Sequence, residues 1–443
     1  MRKLILACTL LAATTIAQPV FGQLNCANDS TGLIPLVDLG TDYYAGIYQG
    51  GLYPGGSNIM PSGHMINGLK IMKKLKPLDT AGVVNYATGK IVLGGFGAST
   101  VGGPFNHMIQ LMKDYNDLNP CMKAVNTANG SDGIEAMYIG NEEYFDYIKI
   151  YKLAEKDLTP IQVQVGWLMH SSRIDSNGTD PIGYVDSLSK RFLIALNTML
   201  YYYPNLKVVY LSGFPYGGYA DPMKALYHVI KEPSSYHHNF AMKSLIERQI
   251  TGDPALKYKG AGIQVPYLAW GPNIWADGKN PRELDSLTWN CETEFAIDGG
   301  GYHLTNEGKD KLANILLQFF RTDTLSEGWF MDGPKWASCG AGRLADGSII
   351  LPEEPTILTK DEITVFPNPS SGQYYVDFDE VLTEAIQVKV VNQVGEVVLE
   401  ESYGGIQPFS FYQFNLSDQP AGIYYFEVVA NGEHFSQPII LNH

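Results

Sequence analysis

The chain has 443 residues, 45% of them hydrophobic and 17% charged, with a formal net charge of −15. That length allows two or three domains with sizeable cores, and the acidic balance argues against a surface built to hold nucleic acid or an anionic membrane. Five cysteines occur without a Cys-x-x-Cys pair, so a structural zinc site is not expected.

At the N-terminus Arg2 and Lys3 precede an apolar run from Leu4 to Ile16, and Val20-Phe21-Gly22 supplies a small-residue cleavage site. This pattern predicts a secretory signal peptide over residues 1–22, too short to span a membrane. No later run of 18 or more apolar residues appears, so no transmembrane span is expected in the mature chain. Removing the leader leaves 29 basic against 46 acidic residues, a net of −17. It also leaves Cys26, Cys121, Cys291 and Cys339. Export permits disulfides, and four cysteines allow three pairings.

Further along, IVLGG (91–95), IQVQVGW (161–167) and LKVVYLS (206–212) read as strands. Helical patterns alternate with them. Phe105, Met108, Ile109 and Met112 share one face, and so do Val185, Leu188, Phe192, Leu196, Met199 and Leu200. Leu312, Ile315, Leu316, Phe319 and Phe320 define a third helix, with Thr305 placed to cap it and Glu307 suited to its positive end. Strands alternating with helices imply a parallel sheet covered on both faces, and such folds bind ligands at the carboxyl ends of their strands. After Phe330 the helical period stops. Residues 333–360, with LPEEPT at 351–356, read as a linker. ITVF, QYYVDF, IQVKVV, VVLEESY, FSFYQFN, GIYYFEVVA and PIIL follow, divided by turn segments such as NPSSG and NQVGE. Seven short strands at this spacing predict a small β-sandwich over 361–443. That segment carries twelve acidic residues and a single basic one, Lys389.

Three places could carry chemistry. Ser99 lies in GKIVLGGFGASTVGGPF, between a strand and a helix, where glycines such as Gly97 let the backbone turn sharply. The helix behind it adds free N–H groups suited to an oxyanion, although serine is also an ordinary residue for such a turn. His303 stands in DGGGYHLTNEG (298–308), directly before the third helix, with Asp298 upstream. A histidine can accept a serine proton near neutral pH, and an acid can fix its tautomer. Gly130 in NTANGSDG (126–133) could offer a backbone N–H to the same oxyanion.

The order of these residues resembles the SGNH (GDSL-like) hydrolase superfamily over roughly residues 33–330. GFGAST occupies the place of its first block, Gly130 that of its second-block glycine, and DGGGYHLTNEG that of its last block. The resemblance is closer still to secreted bacterial proteins with this hydrolase-like domain, through GGLYPGGSN (50–58), FPYGGYA (214–220), NFAMKSLIERQITGD (239–253) and VPYLAWGPNIWADG (265–278). It implies a three-layer α/β/α, flavodoxin-like domain over 23–332, with Ser99 as nucleophile, His303 as base, Asp298 as orienting acid, and the Ser99 and Gly130 N–H groups at the oxyanion. No metal or cofactor is implied. Three features depart from the pattern. Gly97-Ala98 replace the Asp before the serine. VGWLMHSS lacks the third-block Asn, leaving His170 or a backbone group to substitute. Five positions separate Asp298 from His303 instead of three, so Glu294, Asp285 or a backbone carbonyl are alternative orienting groups.

His64, Tyr216 and Trp275 are candidate pocket residues, because they fall on loops and strand ends where aromatic faces can line a ligand. The adjacent His237 and His238 point about 100° apart on a helix and do not chelate together. His107 and His228 read as surface or packing residues. The tail resembles the C-terminal sorting domain of the type IX secretion system of Bacteroidota through ITVFPNPSSGQYYVDF, VKVVNQVGEVV and FNLSDQPAGIYYFEVVANGE. That implies the type IX machinery as a partner and a secreted or cell-surface destination. The whole reads as an exported serine esterase, acting on a small-molecule or glycan ester, with acylated carbohydrate favoured. The alternative is a catalytically impaired surface protein of the same fold that binds glycan or another ligand.

Overall fold

The computed structural model describes residues 24–130, 133–173, 180–221, 230–297, 300–336, 339, 363–378, 386–403, 412–430 and 433–442. The expected signal peptide, most of the expected linker, Asp298 and His228 lie outside the described residues. The chain divides into two units, Met1–Leu351 and Pro352–His443.

The first unit is built on five parallel strands: β1 (Ile91–Gly97), β2 (Met122–Asn126), β3 (Val163–Met169), β4 (Val208–Leu211) and β5 (Tyr267–Trp270). Their order is β2-β1-β3-β4-β5, the doubly wound order whose switch point lies between β1 and β3. Six longer helices accompany them: α1 (Ser62–Met72), α2 (Ser99–Leu111), α3 (Glu142–Ile148), α4 (Pro181–Tyr202), α5 (Ser234–Ile250) and α6 (Asn306–Thr322). Helix α2 packs on α6, and α4 on α5.

The strand register explains how these pairs sit on the sheet. Gly95, Trp167 and Tyr210 share a row. Phe105 of α2 stacks on Trp167, with centroids 5.9 Å apart, and Phe319 and Phe320 of α6 meet Tyr210 edge-on. The next row holds Phe96, which meets Tyr203 at the end of α4. Side chains alternate across a strand, so these two rows face opposite layers. Every residue of β1, β3, β4 and β5 is buried, as expected of strands covered on both faces.

Two disulfides, Cys26–Cys291 and Cys121–Cys339, close the domain, with Cα separations of 5.5 and 5.1 Å. Trp336 is buried. It and Cys339, in the stretch read as the start of a linker, therefore belong to this domain's packing. The Asp277 carboxylate adds a polar clamp near the N-terminal segment: it accepts hydrogen bonds from the hydroxyls of Ser30 and Thr31 and the N–H groups of Thr31 and Gly32.

Among the described residues the second unit has seven antiparallel strands. β6 (Ile363–Phe366), β7 (Gln373–Phe378) and β10 (Tyr412–Asn415) form one sheet in the order β10-β7-β6. β8 (Ile386–Asn392), β9 (Val397–Tyr403), β11 (Gly422–Ala430) and β12 (Glu433–Leu441) form the other, in the order β9-β8-β11-β12. Tyr374, Val376, Val390, Phe414, Phe426 and Ile439 lie in its shared core.

Candidate functional site

Ser99 is the first residue of α2, not a loop residue ahead of it. The apolar period of this helix starts near Phe105, and Gly102 and Gly103 favour a turn before it; the helix instead runs through Gly102, Gly103 and Pro104. Ala98 caps it, its carbonyl accepting the N–H groups of Val101 and Gly102 at 3.0 and 3.2 Å. The N–H groups of the first turn have no intrahelical acceptor, so Ser99 stands at a positively polarised end with its own N–H directed out of the helix. Gly97 makes the sharp entry. Its φ is +153°, and a Cβ there would meet the Met169 carbonyl oxygen at 2.3 Å and the Val101 side chain at 2.4 Å.

His303 arrives from the other end of the chain. The segment before α6 folds back on itself: Ala296 N–H bonds to His303 O at 2.8 Å, and Thr305 N–H to Glu294 O at 2.9 Å. Gly301 turns the loop with φ of +74°, and a Cβ there would lie 2.0 Å from Tyr219 O. Asp221 N–H bonds to Gly300 O at 3.0 Å. Thr305 caps α6, as expected, accepting from Gly308 N–H. The result is a hydrogen bond of 2.7 Å between Ser99 Oγ and His303 Nε2, across 204 residues of chain and within the range of a nucleophile and its base. Tyr302 packs beside the imidazole, with centroids 4.3 Å apart. Ser99 is exposed, and both side chains open into a pocket of about 380 Å³ bordered by Thr100, Gly103, Pro104, Ala296, Leu304 and Lys309.

Other expected residues fall in different places. Gly130 follows β2 on a loop tied to the end of β1, where Asn129 N–H bonds to Gly97 O at 3.0 Å. Among the described residues, its chain neighbours aside, no atom lies within 4 Å of the position a Gly130 Cβ would take. His170 follows β3 at the switch point and is buried. Its Nδ1 lies 3.0 Å from Ser171 N, its Nε2 has no hydrogen-bond partner among the described residues, and burial lowers its pKa to about 3. It is therefore a neutral imidazole. The structure places the three pocket candidates in the interior. His64 is stacked on Tyr267 and bonded to Leu268 O at 2.9 Å. Tyr216 donates to Asn28 O, and the Trp275 indole donates to Glu232. None of the three borders the pocket of Ser99 and His303.

The alternative acids are already engaged. Glu294 accepts from Asn290 N–H and Lys311, and Asp285 from Arg282. His237 meets the Tyr44 hydroxyl and His238 the Ser234 carbonyl, both inside the core. His107 pairs with Asp310 between α2 and α6 at 2.6 Å. Among the described residues, no group of three His, Cys, Asp or Glu side chains is placed to hold a metal ion.

Two features escaped the sequence reading. Asp221 is a buried acid on the loop that supports the His303 turn; its only local signal was its place at the end of the unusual FPYGGYA stretch. Glu232 is a partly buried residue whose carboxylate is held by Gly217 N–H, Tyr236 N–H and the Trp275 indole. Burial raises its pKa to about 7.

Comparison with known proteins assigns the tail. Residues 364–442 match the family described as the secretion system C-terminal sorting domain. The chain thus carries the address of the type IX route of Bacteroidota, and it is exported to the cell surface or the medium. Among the described residues no helix is long and apolar enough to cross a membrane. One solved structure is similar over 18% of this chain and 84% of its own: a DUF3244-family protein with an immunoglobulin-like β-sandwich fold from Bacteroides vulgatus ATCC 8482, at 17% identity and a TM-score of 0.17. A likeness that slight carries no argument. No curated protein matches the chain.

Proposed function

We propose that the first domain is a serine ester hydrolase of the SGNH type, displayed or released outside the cell by its sorting tail. The observation that carries this reading is the 2.7 Å contact between Ser99 Oγ and His303 Nε2 at the carboxyl edge of a doubly wound sheet. In this mechanism Ser99 Oγ attacks the ester carbonyl carbon while His303 Nε2 accepts its proton. The N–H groups of Ser99 and Gly130 stabilise the oxyanion. The tetrahedral intermediate collapses, the alcohol leaves with the proton from His303, and water then releases the acyl group by the reverse sequence. Asp298 holds the imidazole in the accepting tautomer. With no Asn after β3, a third oxyanion donor is missing unless the neutral His170 ring supplies one, and each such donor is worth about 10²–10³ in turnover.

A fluorophosphonate probe tests this reading. It is expected to label the folded protein and to leave Ser99→Ala unlabelled. Asp298→Asn is expected to lower turnover of a p-nitrophenyl ester by about 10²-fold or more. Absence of labelling in the wild type, or equal labelling of Ser99→Ala, would assign the domain to the alternative: a surface protein that binds its ligand without cleaving it.

A further inference from the structure

Beside the serine lies a second concavity of different character. The loop after β2, which carries Asn129 and Gly130, forms one wall of a cleft of about 800 Å³. Helix α3 and the turn after it form the other, contributing Asn141, Glu143, Asp146, Tyr147 and Tyr151. The first wall is tied to the active-site turn where Asn129 N–H bonds to Gly97 O, two residues before the nucleophile. A molecule lying in the cleft therefore ends next to the loop that offers Gly130 N–H to the oxyanion.

The lining has a definite chemistry. Tyr147 and Tyr151 are one helical turn apart, with ring centroids 5.4 Å apart and planes inclined at 41°. Tyr151 is 55% exposed, although an aromatic side chain is worth more when covered. Residues Lys149–Leu153 form a π-helical turn. Such turns are rare and cluster at functional positions, because the extra residue re-aims the side chains around it. Here it starts two residues after Tyr147 and contains Tyr151. Besides Ala136 and Ile150, the lining carries amides and carboxylates around the rings, which exchange hydrogen bonds with hydroxyl groups. The Lys152 ammonium lies over one side of the Tyr147 ring, 5.3 Å from its centroid, but the two carboxylates of Glu143 and Asp146 outweigh it in a chain of net charge −15, a balance that disfavours polyanions such as uronate polymers or nucleic acid.

We infer that the cleft between the Gly130 loop and the Tyr147–Tyr151 turn binds the sugar part of the substrate, as a neutral oligosaccharide whose rings stack on the two tyrosines. The inference deepens the hydrolase reading and rests on it for the link to ester cleavage: the glycan is held in the cleft, and its acyl substituent is presented to Ser99.

The test separates binding from chemistry. Full-length Ser99→Ala protein is titrated calorimetrically with cellohexaose, xylohexaose, mannohexaose and chitohexaose, and with polygalacturonate as the acidic control. Binding of at least one neutral hexaose is expected. Tyr147→Ala and Tyr151→Ala should each weaken it about tenfold or more, a loss of about 1.4 kcal/mol. Tyr151→Phe, which keeps the stacking face, should stay within about twofold of the parent. The inference is overturned if no neutral hexaose binds, if polygalacturonate binds in preference, or if both alanine variants bind as the parent does. Loss of labelling in the wild type with tyrosine-dependent glycan binding retained would remove the hydrolase and leave the cleft.

Discussion

At the scale of single residues, the site depends on two backbone positions as much as on its reacting side chains. Gly97 and Gly301 both hold positive φ with another backbone closer than a Cβ tolerates. One aims Ser99 and the other aims His303, so the 2.7 Å contact is the meeting of two turns that only glycine can make. A Cβ at Gly301 would push against Tyr219 O, and that push moves the His303 loop rather than the buried Tyr219. Gly301→Ala is expected to destabilise the domain by about 1–3 kcal/mol. It should also slow fluorophosphonate labelling by an order of magnitude or more, since small misplacements of a base cost large factors in rate. All six tryptophans lie before residue 340, so tryptophan fluorescence follows melting of the first domain alone. Wild-type melting and labelling in Gly301→Ala would mean that the loop is not held as described.

At the scale of elements, α6 is the support on which His303 stands, and its N-cap is the exposed part of that support. The Thr305 hydroxyl donates to Thr293 O at 2.6 Å and accepts from Gly308 N–H at 3.2 Å, so one side chain fixes both the helix start and the strand-like segment leading to it. Thr305→Ala should cost about 1 kcal/mol, read as a drop of roughly 2–4 °C in the melting of the first domain, and Thr305→Ser should restore it. An alanine variant that melts with the wild type would remove the cap from the account. This helix was plain in the sequence because its apolar period is long and uninterrupted, β1 and β4 because they are continuous apolar runs, and β3 because its apolar residues alternate with Gln162 and Gln164. β2 and β5 passed unassigned: MKAVN and YLAW are too short to separate from their surroundings, and pairing to a neighbouring strand is what makes them strands. The early start of α2 was hidden for a related reason. Gly102, Gly103 and Pro104 disfavour a helix locally, but Pro104 is buried and the Lys309 side chain packs over Gly103, so tertiary contact overrides propensity. Ser99 and His303 could be paired by their order in the chain. That His64, Tyr216 and Trp275 face inward could not be read, because a local window does not show which aromatic residues the core will claim.

At the scale of the whole molecule, buried ionisable groups set how the first domain responds to pH. His64, His170, His237 and His238 are buried, and burial lowers their pKa values to about 4, 3, 4 and 4. A histidine with a depressed pKa in the folded state binds its proton more readily when unfolded. Its contribution to stability is therefore present above the ordinary histidine value of about 6.5 and is lost as pH falls from there toward 4. Two partly buried acids act in the opposite sense. Burial raises Glu232 to about 7 and Asp323 to about 6. Each keeps its proton in the folded state after the unfolded chain has released it, so each favours folding more as pH falls through the same range. Near pH 5 four histidines oppose two acids, and unfolding takes up on the order of two protons net. Each proton changes stability by about 1.4 kcal/mol per pH unit, so the histidines prevail and the domain weakens on acidification. Tryptophan-monitored melting of the full chain should show Tm falling steeply between pH 6.5 and 4.5. Replacing Glu232 with Gln removes one opposing group and should steepen that fall by the equivalent of about one proton. A Tm that rises or stays level over this interval would mean that the histidines are protonated in the folded protein, contrary to their burial.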